Sequence, residues 1–112
     1  MTRSAEFSNT VKRGVRAAQP DLVVYADRHG GDVGVGPRIG FIVAKSVGGA
    51  VDRHRVSRRL RHAARTVIGG LDPSDRIVVR ALPGSRDAIS ARLCDELRIG
   101  LRRTHELLER RR

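Results

Sequence analysis

One span, residues 45 to 65, does most to limit what this chain can fold into. It reads Lys45-Ser-Val-Gly-Gly-Ala-Val-Asp-Arg53-His54-Arg55-Val-Ser-Arg58-Arg59-Leu-Arg61-His-Ala-Ala-Arg65. An α-helix turns about 100° per residue, so Val56, Leu60, Ala63 and Val67 fall within about 40° of one line. His54, Arg58, Arg61 and Arg65 fall within about 60° of the opposite line. One stripe must be buried against other elements. The other collects positive charge. Seven Lys and Arg side chains stand against a single acid, Asp52, and no further acid follows until Asp72. The i, i+4 acid–base pairs that usually neutralise a charged helix face are therefore missing. A solvated face without a partner is the plainer alternative. Uncompensated repulsion along the face points instead to a polyanion.

Composition agrees with that direction. The chain has 112 residues, 23 Lys and Arg against 12 Asp and Glu, and a formal net charge of +11. All but two of the 23 cations are Arg. The planar guanidinium fork suits phosphate and can stack on bases. The length fits one domain, residues 1–112, with enough chain for a core. The lone Cys94 excludes an internal disulfide and fits a reducing compartment, so a cytoplasmic location is expected. No apolar run reaches the ~18 residues a membrane span needs, and no signal-peptide core is evident.

The elements can be placed coarsely. Ser4 can cap a short helix with Phe7 and Val11 on one face and Gly14 as its stop. Residues 15 to 28 read as extended, with a strand at 22–26 that puts Val23 and Tyr25 on one face and Leu22 and Val24 on the other. A glycine-rich hairpin loop spans Gly30 to Pro37. Arg38 to Lys45 reads as a strand apolar on both faces, which predicts a central position. The basic helix should run from about 48 to 69 between glycine pairs. A strand at 76–82, a turn at Pro83-Gly84-Ser85 and a helix from about Ser90 to Glu109 complete the order. Leu93, Leu97 and Leu101 give that last helix its core face. The α–β–β–α–β–α order predicts an α+β fold, a two-layer sandwich of sheet and helices.

Catalytic constellations are not evident. His29, His54, His62 and His105 lack zinc-ligand spacing, and no nucleophile motif is present. Asp72, Asp75 and Asp87 sit where turns favour Asp. Cys94 reads as a half-buried core residue. The aromatics are few: Phe7, Tyr25 and Phe41. Phe41 reads as core. Phe7 and Tyr25 are either core or a platform for unpaired bases.

The stretch from Lys45 to Arg61 resembles the signature of the bacterial ribonuclease P protein subunit, close to K-x-x-G-N-A-V-x-R-N-R-x-K-R-x-x-R. Arg3-Ser-Ala-Glu-Phe7 with Val11 and Gly14, Leu22-Val-Val-Tyr25, and Pro37-Arg-Ile-Gly-Phe-Ile-Val-Ala-Lys45 resemble the segments that precede that signature. The likeness covers nearly the whole chain in order. It implies an α-β-β-(β)-α-β-α sandwich of the ribonuclease P protein and ribosomal S5 domain 2-like type. It also implies a left-handed β–α–β crossover, where the right-handed form is the general rule. It implies a protein that binds a catalytic RNA and the 5′ leader of precursor tRNA, with hydrolysis performed by the RNA and its Mg²⁺. On this resemblance Arg53, Arg55, Arg58, Arg59 and Arg61 face RNA; the basic run and its charged stripe add Lys45, His54 and Arg65 to that expected RNA-binding set. On the resemblance, too, Phe7, Val11, Tyr25 and Ser57 line the leader cleft. The signature's two Asn positions are Gly49 and His54 here, and a signature Lys is Ser57. Two other classes stay open: a structural RNA-binding protein of a ribosome-like particle, and a protein-only nuclease, which would need clustered carboxylates.

Overall fold

The computed structural model describes residues 4–28 and 37–111, excepting the side chains of residues 4–7. Helix α1 spans Ser4–Arg13, strand β1 Val15–Ala18, β2 Leu22–Arg28 and β3 Arg38–Ile42. Helix α2 spans Ala50–Val67, β4 Asp75–Ala81 and α3 Ser90–Arg110. Single turns of 3₁₀ helix at Lys45–Val47, Ile68–Gly70 and Pro83–Arg86 punctuate the connections.

The sheet order is β1-β2-β4-β3. β2 pairs antiparallel with β1 and with β4, placing Tyr25 opposite Arg16 on one side and Val78 on the other. β3 pairs parallel with β4, Ile39 opposite Ile77. Strand β3, helix α2 and strand β4 thus form the β–α–β unit that the resemblance implies.

Alternation divides the sheet into two faces. Leu22, Val24 and Ala26 of β2 and Ile77, Val79 and Ala81 of β4 share one face, and all are buried. They form one cluster with Val56, Leu60, Ala63 and Ala64 of α2 and Leu93, Leu97, Leu101 and Leu108 of α3. The apolar stripe expected from the 3.6-residue period is the stripe that is buried. Gly100 explains how close α3 comes to the sheet. A Cβ there would lie 2.5 Å from Val24 Cγ2. A residue that lowers helix propensity therefore admits the strand beneath.

Tyr25 and Val78 point to the opposite face and are also buried. Helix α1 packs against β2 and β4, and its Thr10 is buried, so α1 covers this end of that face. Gly14 ends α1 by donating its N–H to Thr10 O at 2.9 Å.

Two expectations change. Residues 15–28 are two strands, broken at Gln19-Pro20-Asp21, where the Gln19 N–H reaches Leu22 O at 2.7 Å. The strand expected at Arg38–Lys45 ends at Ile42 and lies at the sheet edge, not its centre. An apolar run reports that both faces are covered, not that both edges are paired. Ile39 and Phe41 pack on the core while Gly40 is buried on the other side. The expected glycine-rich loop lies, but for Pro37, outside the described residues.

The break between β1 and β2 is fastened to α3 by charge. The buried Asp21 donates its N–H to Glu96 Oε1 at 2.7 Å. Arg92 Nε lies 2.9 Å from Asp21 Oδ2 and 3.3 Å from Glu96 Oε2. Burial, then the hydrogen bond shared with the Asp21 side chain, raises the Glu96 pKa above its ordinary 4.5. A raised carboxyl pKa favours the folded state fully below 4.5, and that contribution is lost as pH rises through the folded value. Glu96→Gln mimics the protonated carboxyl, so its stability relative to the native protein should increase as pH rises from about 4 to 7. Urea unfolding of both proteins at several pH values checks this; a constant difference would show that Glu96 does not titrate with folding.

Candidate nucleic-acid interface

The outward face of α2 is positive and unpaired. Lys45, His54, Arg55, Arg58, Arg61 and Arg65 are all exposed. None of the arginines among them makes an ion pair with a described residue. Asp52 sits in the first turn of the helix, where the positive end of the macrodipole favours it. Two open depressions flank the arginines. One is lined by Arg55, Arg58, Arg59, His62 and Ser90, the other by Ala50, Val51, His54, Arg55 and Arg58. Val51 is 73% exposed within this charged surface.

One of the signature arginines serves the fold as well. Arg59 is half-buried, and its guanidinium donates to Ala88 O at 3.0 Å and Arg86 O at 3.4 Å. It ties α2 to the turn that leads into α3. Arg53 is also half-buried, with its Nε shielded from solvent and unpartnered.

A second surface lies on the sheet face that carries Tyr25. Arg16 and Arg80 are exposed there, while Val23 and Ile42 are half-buried. Register sets Arg16 opposite Tyr25, and Arg80 between Val23 and Ile42. The Arg80 guanidinium lies 5.8 Å from the centre of the Tyr25 ring, within cation–π range. Tyr25 itself is only 8% exposed.

A family model for ribonuclease P matches residues 1–105. A ribonuclease P protein component from Mycolicibacterium vanbaalenii is 61% identical over 106 residues, covering 95% of this chain and 89% of its own length. The chain belongs to the ribonuclease P protein family. The corresponding Mycobacterium tuberculosis protein is 57% identical over 107 residues, covering 96% of this chain and 90% of its own. Among solved structures, a Staphylococcus aureus RNase P protein superposes with a TM-score of 0.79 over 91% of each chain at 24% identity, which shows a shared fold. As a ribonuclease P protein component, the chain serves tRNA 5′ processing.

Within that family frame, three of the residues expected to line a leader cleft can be placed. Val11 is half-buried on α1 and Tyr25 lies on the sheet face that α1 covers. Ser57 is half-buried on α2, in the layer packed on the opposite face. The Phe7 side chain lies outside the described residues. Tyr25 offers little ring surface, so the stacking surface it presents is shared with Arg80. Sequence reasoning misses Arg16, Arg80 and His62. Arg16 and Arg80 need the strand register, which pairs residues far apart in the chain. The signal for His62 is local: it lies four residues after Arg58 and seven after Arg55, on the same helix side.

Among the described residues, no group of three or more His, Cys, Asp or Glu side chains is placed to hold a metal ion. No described helix is long and apolar enough to cross a membrane.

Proposed function

We propose that the chain binds the catalytic RNA of ribonuclease P through the exposed face of α2, and the 5′ leader of precursor tRNA along the sheet face beside α1. The observation that carries the reading is the run of exposed, unpaired cations on α2. Such a face is destabilised by self-repulsion when free and is satisfied by phosphates. Arg58, Arg61 and Arg65 supply phosphate contacts, His54 and His62 add hydrogen-bonding groups, and Val51 gives an apolar contact for sugar or base. On the sheet face, Arg16 meets the leader backbone, and Arg80 backed by Tyr25 stacks on an unpaired base.

In this reading the RNA subunit performs the hydrolysis, and Mg²⁺ is held mainly by the RNA and the substrate. The chain's own part is to neutralise phosphate repulsion where leader and RNA converge, and to hold the leader in register with the cleavage site. The holoenzyme works in the cytoplasm.

Leader binding is tested by comparing precursor with mature tRNA, which has no leader. Loss of one stacked base should cost about 1 to 3 kcal/mol. Arg80→Ala in the holoenzyme should therefore weaken precursor binding by about 5-fold or more and leave mature tRNA unchanged. Arg80 is exposed, so the fold should be retained. Equal weakening of both ligands would remove this face from leader recognition.

A further inference from the structure

A cavity of about 400 Å³ opens between the C-terminal end of α2, the second half of α3 and the adjoining ends of β2 and β4. It is separate from both surfaces described above. Its floor is apolar and buried, formed by Ala26, Ile77, Leu101 and Leu108. Its rim is exposed and basic, with Arg98, Arg102 and His105. A size of this order and an apolar wall with few polar groups are typical of small-ligand sites.

The polar groups are arranged in depth. Asp75 is on the wall and 5% exposed. Its Oδ1 accepts from Arg28 Nε at 2.8 Å and its Oδ2 from the Asp72 N–H at 2.9 Å. A carboxylate has about four acceptor sites, so it retains capacity for a further donor. At the rim, Arg28 Nη2 lies 2.7 Å from His105 Nδ1. Arginine has only donors, so Nδ1 is the acceptor of this contact. Arg98 is engaged only with the exposed Asp95, at 3.3 Å, and weakly with Cys94 Sγ at 3.7 Å. Arg102 has no ion pair with a described residue.

This order selects a ligand. Its body must be largely apolar. Its inner end must donate a hydrogen bond to Asp75. Its outer end must be anionic, to meet Arg98 and Arg102. A fatty acid or a bare phosphate meets the rim but offers nothing to Asp75. We propose that the cavity binds a nucleoside phosphate whose base carries an exocyclic amine, with the base against Leu101 and Ile77, the amine on Asp75 and the phosphate on Arg98 and Arg102. A free nucleotide and an unpaired nucleotide of an RNA share this chemistry.

The test uses the full chain alone, so it does not depend on the RNA-subunit reading. Adenosine monophosphate, uridine monophosphate, ribose 5-phosphate and a short unpaired oligoadenylate are titrated while backbone amide shifts are followed by NMR. Adenosine monophosphate should shift Thr66, Gly70, Ile77 and His105. Uridine monophosphate has no exocyclic amine and should bind about tenfold more weakly, the value of one charge-assisted hydrogen bond. Gly70 lines the cavity, and a Cβ there meets nothing within 4 Å. Gly70→Leu should therefore block binding without strain. Arg102→Ala should weaken it by about fivefold or more, because the phosphate then has one guanidinium fewer. Oligoadenylate shifting the same residues identifies RNA as the source, and binding of the mononucleotide alone identifies a free nucleotide. Shifts absent or confined to the exposed face of α2, equal binding of uridine monophosphate or ribose 5-phosphate, or full binding by Gly70→Leu would each overturn the proposal.

Discussion

Leu60→Ala is expected to cost about 2 to 5 kcal/mol of folding stability. Leu60 is 0% exposed in the centre of the α2 stripe and belongs to the cluster that joins β2, β4 and α3. Removing its side chain loses the transfer energy of the buried atoms and leaves a cavity between helix and sheet. The whole basic face rides on this packing, because α2 is the crossover between β3 and β4. The urea midpoint should fall with an unchanged slope, as for a loss of stability without a change in the surface exposed. Val51→Ala, in the first turn of the same helix and 73% exposed, should shift stability by no more than about 0.5 kcal/mol. A Leu60→Ala effect as small as that would place the helix in a different phase from the one described.

Replacing Arg58 and Arg61 together by Ala should lower the salt dependence of binding to the catalytic RNA. Each phosphate that is no longer neutralised reduces the slope of log affinity against log salt by about 0.7 to 0.9, so the pair should reduce it by about 1.4 to 1.8. Both side chains are exposed and make no ion pair with a described residue, so stability should hold or rise slightly as self-repulsion is relieved. Arg59→Ala should behave differently. It removes the donors to Ala88 O and Arg86 O and so should lower stability by about 0.5 to 1.5 kcal/mol for each hydrogen bond removed. Titrations of the RNA across a salt series, beside denaturation curves, separate the two kinds of arginine. An unchanged slope in a folded Arg58 and Arg61 double variant would exclude them from the interface.

Local periodicity makes the helices legible. The phase of α2 follows from residues within three turns of one another, and Val56, Leu60 and Ala63 are buried as that phase requires. The Leu93, Leu97 and Leu101 face of α3 is readable for the same reason. Long-range pairing is not readable from residues alone. Nothing in Arg38–Ile42 distinguishes an edge strand from a central one once both of its faces are covered. The same limit hides Arg80, which becomes interesting only when register places it beside Tyr25. It also hides the structural share of Arg59, whose carbonyl partners lie 27 and 29 residues away. A helical wheel gives direction but not the length of a side chain's reach. The resemblance to the family signature supplies the function that composition leaves at polyanion binding, and the cavity beside α3 has no counterpart in any local motif.

On this account the chain assists an RNA that performs the cleavage. The most direct test reconstitutes the chain with its ribonuclease P RNA at low Mg²⁺ and follows release of the 5′ leader from precursor tRNA. The expected result is little cleavage by the RNA alone, none by the protein alone, and efficient cleavage by the two together. Cleavage by the protein alone with Mg²⁺, or a rate for the RNA that the protein leaves unchanged, would contradict it.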